Sequence, residues 1–483
     1  VKTKDSSIMS ITFKSSRALL GATVLLAAVP FSGFAADGDE IQLLREQISQ
    51  LDQKLRVLER KQELKDETAA AATAAAAKSA PKITASDGRF EIASSDGAHS
   101  LRLRGLVQGD VRIFDSANDP NDTFLLRRAR LIFEGKFNNI FQYVIQPEFG
   151  GTIQILDANI NAAISPAFQV RIGKFKTPVG LEQLQSDPSA FFNERSVATN
   201  LTPNRDIGIQ IHGDVLNNRL NYALALLNGV PDGGNNVTGS ADFDADKTVA
   251  ARLFATPFAN DKDSALSGLG LGFAVSAGDY GTVNGRAANY RTDGQQTFFT
   301  YLTNTTTPAD NVVAAGSGFT YSPQGYYYNG PLGVLAEYVG SSIELQRGSN
   351  PIRKVKNHGY NLTVGYVLTG EDSTYRGVSP KTNFNPKAGT WGAFELIARV
   401  SSLDVDDSVF NGGAALRLAN PNVSASEVKA YGIGLNWHLS KSARAGINFF
   451  RNEFKLAPGA TPAANALISD DENTLITRFQ VSF

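Results

Sequence analysis

The sequence predicts an all-β fold: a 16-stranded antiparallel transmembrane β-barrel with a short N-terminal α-helical coiled coil. Three observations predict it. Segments of about ten residues alternate apolar and polar side chains from residue 89 to the end, no apolar run after residue 35 is long enough for a membrane helix, and aromatics gather near segment ends. Bulk composition points elsewhere, since 483 residues with 42% hydrophobic and 19% charged content and a slightly negative mean hydropathy suit a soluble multidomain protein. Averaged scales hide a barrel, because its strands show an apolar residue to lipid only at every second position.

Four stretches follow one another. Residues 1–35 carry Lys14 and Arg17, an apolar run from Ala18 to Val29, and Gly33-Phe34-Ala35, the order of a secretory signal peptide and its cleavage site. In residues 36–67, Ile41, Leu44, Ile48, Leu51, Leu55 and Leu58 occupy a and d positions of three heptads. Glu40–Arg45, Lys54–Glu59 and Lys61–Asp66 fit g-to-e pairing of parallel chains, so a short oligomerising periplasmic stalk is expected, as dimer or trimer. Residues 68–88 begin as an almost pure alanine tract and are expected as a weakly structured or helical linker.

The barrel occupies residues 89–483. In Ser100–Phe114, Leu101, Leu103, Val107, Val111 and Ile113 share one face while Arg102, Arg104, Gln108, Asp110 and Arg112 share the other. The alternation recurs in Arg128–Phe137, Phe141–Phe149, Leu156–Ile164, Phe168–Ile172, Ile207–Ile211, Leu220–Leu226, Val249–Ala255 and Leu269–Val275. It continues in Phe319–Tyr328, Leu332–Tyr338, Tyr360–Leu368, Phe394–Val400, Tyr431–Leu439, Ala443–Phe449 and Leu475–Phe483, sixteen strands in all. Short turns such as Asn138-Asn139 and Ser440-Lys441 alternate with longer connections, except that Thr369–Thr390 is long on the short-turn side. A β-sandwich or β-helix would have to bury the arginine-bearing faces between sheets, at several kcal/mol for each unpaired charge.

Several stretches within residues 88–483 resemble the phosphate-selective porin O and P family. They include Leu126-Arg127-Arg128-Ala129-Arg130-Leu131, Gly173-Lys174-Phe175, Val179-Gly180-Leu181-Glu182, Glu194-Arg195, Arg205-Asp206-Ile207-Gly208 and Trp391-Gly392-Ala393-Phe394-Glu395-Leu396. The resemblance implies a homotrimer of sixteen-stranded barrels in outer-membrane lipid, with a loop folded inward and basic residues that bind phosphate-like anions. It assigns Arg127, Arg128 and Arg195 to the anion site, together with a lysine shortly after Gly-Leu-Glu. The corresponding position here is Gln183, and each cation missing from such a site forgoes roughly 1–4 kcal/mol of attraction at intermediate dielectric.

The residues themselves give an independent reading. Alternation assigns Arg102, Arg104, Arg112, Arg128, Arg130, Lys136, Arg171, Arg252, Arg399 and Arg478 to the lumen, against Asp110, Glu134, Glu148, Asp157, Glu337 and Glu395. A water-filled pore with this surplus prefers anions. Arg127 reaches the lumen only where its strand bulges. The loop Gly180–Arg205, with Glu182, Gln183, Asp187, Glu194 and Arg195 and an apolar anchor at Ala190-Phe191-Phe192, is expected to form the constriction. Arg347, Arg353, Lys354 and Lys356 suit an external anion funnel.

Other functions find little support. Basic and acidic residues balance at 46 and 47, which argues against nucleic-acid binding. With no cysteine, four scattered histidines, and neither a P-loop nor a Gly-x-Ser-x-Gly elbow, no enzyme, metal or cofactor is expected. Two rivals remain, a general or carboxylate-type porin and an envelope-tethering protein in which the coil is the main element.

Overall fold

The structure is a computed structural model that describes residues 38–86, 89–115, 121–236, 246–261, 263–281, 287, 289–304, 306–307 and 310–483. The expected signal peptide lies outside them. The chain divides into two units, one ending at Ala77 and one starting at Lys78.

The first unit is helical. Helix α1 (Gly38–Ser79) has 42 residues, about 63 Å at 1.5 Å per residue. It runs through the alanine tract because alanine is the best helix former. Its a and d side chains are between 47 and 66% exposed, an apolar seam that the isolated chain leaves uncovered.

The second unit opens with a hairpin, β1 (Lys82–Ser86) and β2 (Arg89–Ala93), so the end of the stretch expected as linker is β-structure. Then come β3 (Ser100–Asp115), β4 (Thr123–Phe137), β5 (Phe141–Glu148), β6 (Gln154–Ser165), β7 (Phe168–Lys176), β8 (Arg205–Val215), β9 (Leu220–Leu227), β10 (Thr248–Ala255) and β11 (Leu269–Tyr280). A small hairpin, β12 (Tyr290–Arg291) and β13 (Thr297–Phe299), sits in the next loop. The wall resumes with β14 (Val312–Asn329), β15 (Leu332–Arg347), β16 (Arg353–Val367), β17 (Ala393–Asp404), β18 (Ala425–His438), β19 (Ala443–Leu456) and β20 (Glu472–Ser482).

Strands β3–β11 and β14–β20 form the expected sixteen-stranded antiparallel barrel, closed by β20 pairing with β3. Closure satisfies the backbone groups that an open sheet edge would expose to lipid. In β16, Tyr360, Leu362, Val364 and Tyr366 face outward while Asn357, Asn361, Thr363 and Gly365 face inward. The two tyrosines bracket an apolar band about 20 Å long at 3.3 Å per residue, close to the ~25 Å of known barrels. At the short-turn end, Phe394 and Trp437 stack with centroids 5.7 Å apart. Several strands outrun their expected ends at the long-loop side, because alternation fades where no lipid faces the wall. The turn at residues 368–392 is long, as expected, though it lies at the short-turn end.

The seam of the barrel depends on a glycine. Gly105 and Phe483 exchange backbone hydrogen bonds of 2.9 and 3.1 Å, and the Phe483 ring occupies the space that a Cβ at Gly105 would need. Gly105→Val is expected to hinder closure and to reduce the heat-modifiable folded band on unboiled gels. A folded fraction equal to wild type would count against this role.

Candidate functional site: an infolded loop and a basic chamber

The loop between β7 and β8 folds into the lumen, and wall side chains take the place of backbone partners. Glu337 accepts from the N–H groups of Leu181 and Glu182 at 2.7 and 3.0 Å. Gln324, Arg444, Asn436 and Arg399 donate to the carbonyls of Val179, Ala190, Phe191 and Glu194 at 2.6–2.9 Å. Such pairing is required of an irregular segment held inside a protein. The anchor Phe191-Phe192 is buried as expected. Phe191 packs on Tyr328 and against Gly333 and Gly365, while Phe192 packs on Phe450 and against Gly432. These inward-facing glycines leave room for the two rings.

Loop carboxylates engage most of the expected arginines. Glu194 binds Arg112 at 2.8 Å, Arg127 at 2.7 Å and Arg478 at 2.6 Å. Arg127 gets there because β4 bulges: Gln108 pairs with Arg128 but Gly109 pairs with Leu126. Asp187 binds Arg195 at 2.7 Å, Arg128 at 3.5 Å, and Arg130, which also holds Glu148. Arg195 donates as well to the carbonyls of Glu182 and Gln185. Glu182 accepts from the Ser196 N–H at 3.1 Å and lies 3.5 Å from Arg399. In this structure Arg127, Arg128 and Arg195 brace the loop through these carboxylates and carbonyls.

Below the loop lies a chamber of about 560 Å³. Arg102, Arg104, Arg130, Arg171, Lys176, Arg205 and Lys441 line it, against the carboxylates of Asp157 and Asp187. Arg102 and Arg104 pair with Glu134 at 3.3 and 2.9 Å, and Arg205 pairs with Asp157 at 3.1 Å. Among the described residues Arg171 and Lys441 form no ion pair. Gln183 bonds Asn204, so no cation stands at that position. A cation reaches the same place from β7 instead: the Lys176 ammonium donates to the Gln183 carbonyl at 2.7 Å. Strict alternation turns Lys176 away from the chamber, but left-handed Gly173 (φ 120°) interrupts it.

A second infolding escaped the sequence reading. The hairpin β12–β13 brings Asp293 onto Arg399 and the Gly294 carbonyl to Arg112 at 3.2 Å. Arg399 thus joins both loops, with its guanidinium 4.4 Å from the Phe192 ring centroid. The density of aromatics at Tyr290, Phe298, Phe299 and Tyr301, now buried together, was the available signal. Of the expected funnel, Arg347 and Arg353 are engaged in structure, donating to carbonyls of residues 408–417, while Lys354 and Lys356 are exposed.

Burial opposes the charges on Asp187 and Glu194, yet the surrounding arginines hold both carboxyls well below the usual carboxylate range. A depressed folded pKa gives stability that is complete above the unfolded value, about 4, and is lost as pH falls through the folded value. The loop should stay protected from proteases from pH 7 down to about 4. Release between pH 6 and 5 would contradict this.

Residues 101–483 match the family described as phosphate-selective porin O and P. Porin O of Pseudomonas aeruginosa is 23% identical over 420 residues, covering 82% of this chain and 91% of that protein. Among solved structures, the anion-selective porin from Comamonas acidovorans is 11% identical, with 80% and 100% of the two chains covered and a TM-score of 0.49. OmpT of Vibrio cholerae is 12% identical, with 83% and 100% covered and a TM-score of 0.49. With a single family model spanning the whole closed barrel, the chain belongs to the phosphate-selective porin O and P family and is a β-barrel channel of the outer membrane.

Proposed function

We propose that this porin gives passive entry to phosphate-like anions, selected in the chamber below the infolded loop. The observation that carries the reading is the excess of cations over carboxylates on the chamber lining. Low-dielectric walls strengthen the field of each charge, and guanidinium groups present paired donors to two oxygens at once. Arg171, which forms no ion pair among the described residues, is the cation most available to a ligand, with Arg104 beside it on the same lining. Cations at the mid-lumen are held by Glu194 and Asp187 and serve the loop. In a salt gradient the reversal potential should have the anion-selective sign, and millimolar phosphate should block chloride current. Arg171→Ala should raise the half-blocking concentration about tenfold, the value of one charge-assisted hydrogen-bonded contact. Cation selectivity would defeat the reading, and stronger block by small dicarboxylates would favour a carboxylate porin.

The uncovered seam of α1 supports a second element of the proposal: the stalk lies in the periplasm and pairs in parallel with those of sister chains in a homotrimer. Deleting residues 40–67 should leave the reversal potential unchanged and lower the temperature at which the trimer dissociates. An unchanged dissociation temperature would remove the coil from assembly and leave tethering as its role.

A further inference from the structure

Two of the lysines expected at an external funnel stand on the other side of the wall. Along β16 the exposed positions Lys354, Lys356, His358, Tyr360 and Leu362 alternate with buried ones, so both lysines share the lipid-facing side with the apolar band. They rise above that band toward the long loops and do not line the lumen. Lys354 is paired across the ladder with Glu344 on β15, which compensates its charge. Lys356 is paired with Ser342 and forms no ion pair among the described residues. His358 has a carboxylate of its own, with Nδ1 3.8 Å from Asp404.

Below these side chains the outer wall is notched. One cross-strand row reads Leu271, Gly325, Ala336 and Leu362 on β11, β14, β15 and β16. Two residues with little or no side chain thus stand between two leucines that are 53 and 42% exposed. The space is fixed by the backbone, since a Cβ at Gly325 would lie 2.9 Å from the Gly270 carbonyl oxygen. Pro323 continues the floor upward, and the paired rings of Tyr338 and Tyr360 stand at the upper end. The resulting trough has a volume of about 680 Å³ and opens to the outside.

Apolar trough, tyrosines and lysine follow one another in the order of an acyl lipid. Tyrosine rings mark the boundary between hydrocarbon and headgroups. At 3.3 Å per residue and a tilt near 40°, Lys356 stands about 10 Å above Tyr360, at headgroup level. A second copy of this chain fits the same face less well. Interfaces between proteins are depleted of lysine and acids at their centre, whereas Lys354, Lys356, Glu344 and Asp404 crowd the outer face just above the trough.

We propose that this face of the barrel is a seat for one acyl lipid of the outer leaflet with a net-anionic phosphate headgroup. One chain lies in the trough over Pro323, Gly325 and Ala336, and Lys356 holds the phosphate. Between head and chain stands the ring column of Tyr321, Tyr338 and His358, with centroids 6.0 and 6.2 Å apart. The seat lies outside the lumen and does not depend on which ions the channel conducts.

The test uses the full-length porin, delipidated in detergent and titrated with dipalmitoyl phosphatidic acid or with zwitterionic phosphatidylcholine of the same chains. Bound lipid is counted by native mass spectrometry. The wild type should hold one phosphatidic acid per chain about tenfold more tightly than phosphatidylcholine, as expected of one charge-assisted contact. Lys356→Gln should bring the two lipids to similar affinity. Ala336→Trp, which fills the trough from outside, should weaken both about tenfold while the heat-modifiable folded band stays as in wild type. Equal affinities in the wild type, or unaltered binding in Ala336→Trp, would overturn the seat. If Ala336→Trp splits the oligomer and leaves lipid binding intact, the trough is an interface between copies and the proposal fails. Reversal potential should be unchanged in Lys356→Gln, and a shift toward cations would return this lysine to the pore mouth and defeat its placement at the lipid.

Discussion

A guanidinium on the inner wall of a barrel must meet either a carboxylate or water, and the remaining organisation of this lumen follows from that requirement. At mid-height the wall meets loop carboxylates. Glu194 and Asp110 share Arg112 and Arg478, while Asp187 draws in Arg128, Arg130 and Arg195. Removing one partner from such a buried cluster costs about 3–5 kcal/mol because the other charge is stranded. The infolded loop is thus held by the same residues that, unpaired, would bind a passing anion. Whether an arginine is a strut or a ligand is decided by its neighbour, and its position in the strand does not distinguish the two.

This explains how far the sequence could be read. The wall was legible because lipid on one side and water on the other impose a period of two, and all sixteen strands carry that signature. The buried Phe191-Phe192 anchor was legible too, since two adjacent rings on a polar loop need a cavity. Bulges and glycines mark where the reading stopped. One inserted residue at Arg127 and one left-handed glycine at Gly173 turn whole side chains to the other face. Alternation can state the consequence of a bulge but not its place. Long-range pairs such as Arg399 with Asp293 have no local signature at all, because their partners are set by how two loops pack inside a closed wall.

The family resemblance was firm for the fold and weaker for roles. Its arginines on β4 and on the loop are present, but here each finds an internal carboxylate. Its lysine position is Gln183, and the ammonium delivered to that place by Lys176 is largely occupied with the carbonyls of Gln183, Leu184 and Gln185. A motif transfers residue types, whereas binding depends on which donors remain unspent once the loop is seated.

Counting unspent donors by depth gives the lumen a direction. Around the two infolded loops, Glu194, Asp187, Asp110, Glu182 and Asp293 offset the arginines that surround them. Toward the short turns the compensation thins: Arg102 and Arg104 share one glutamate, and Arg171 and Lys441 form no ion pair among the described residues. The field therefore strengthens from the constriction inward, and a chain of formal net charge −1 presents a strongly basic surface to whatever passes the loop. Under the proposed function, an anion that passes the loop would meet a more positive chamber, and its departure would depend on how tightly that chamber holds it. Conduction through such a site requires binding strong enough to draw the ion in and weak enough to release it. In the proposed channel, pairing of Arg102, Arg104 and Arg205 with Glu134 and Asp157 would temper the attraction.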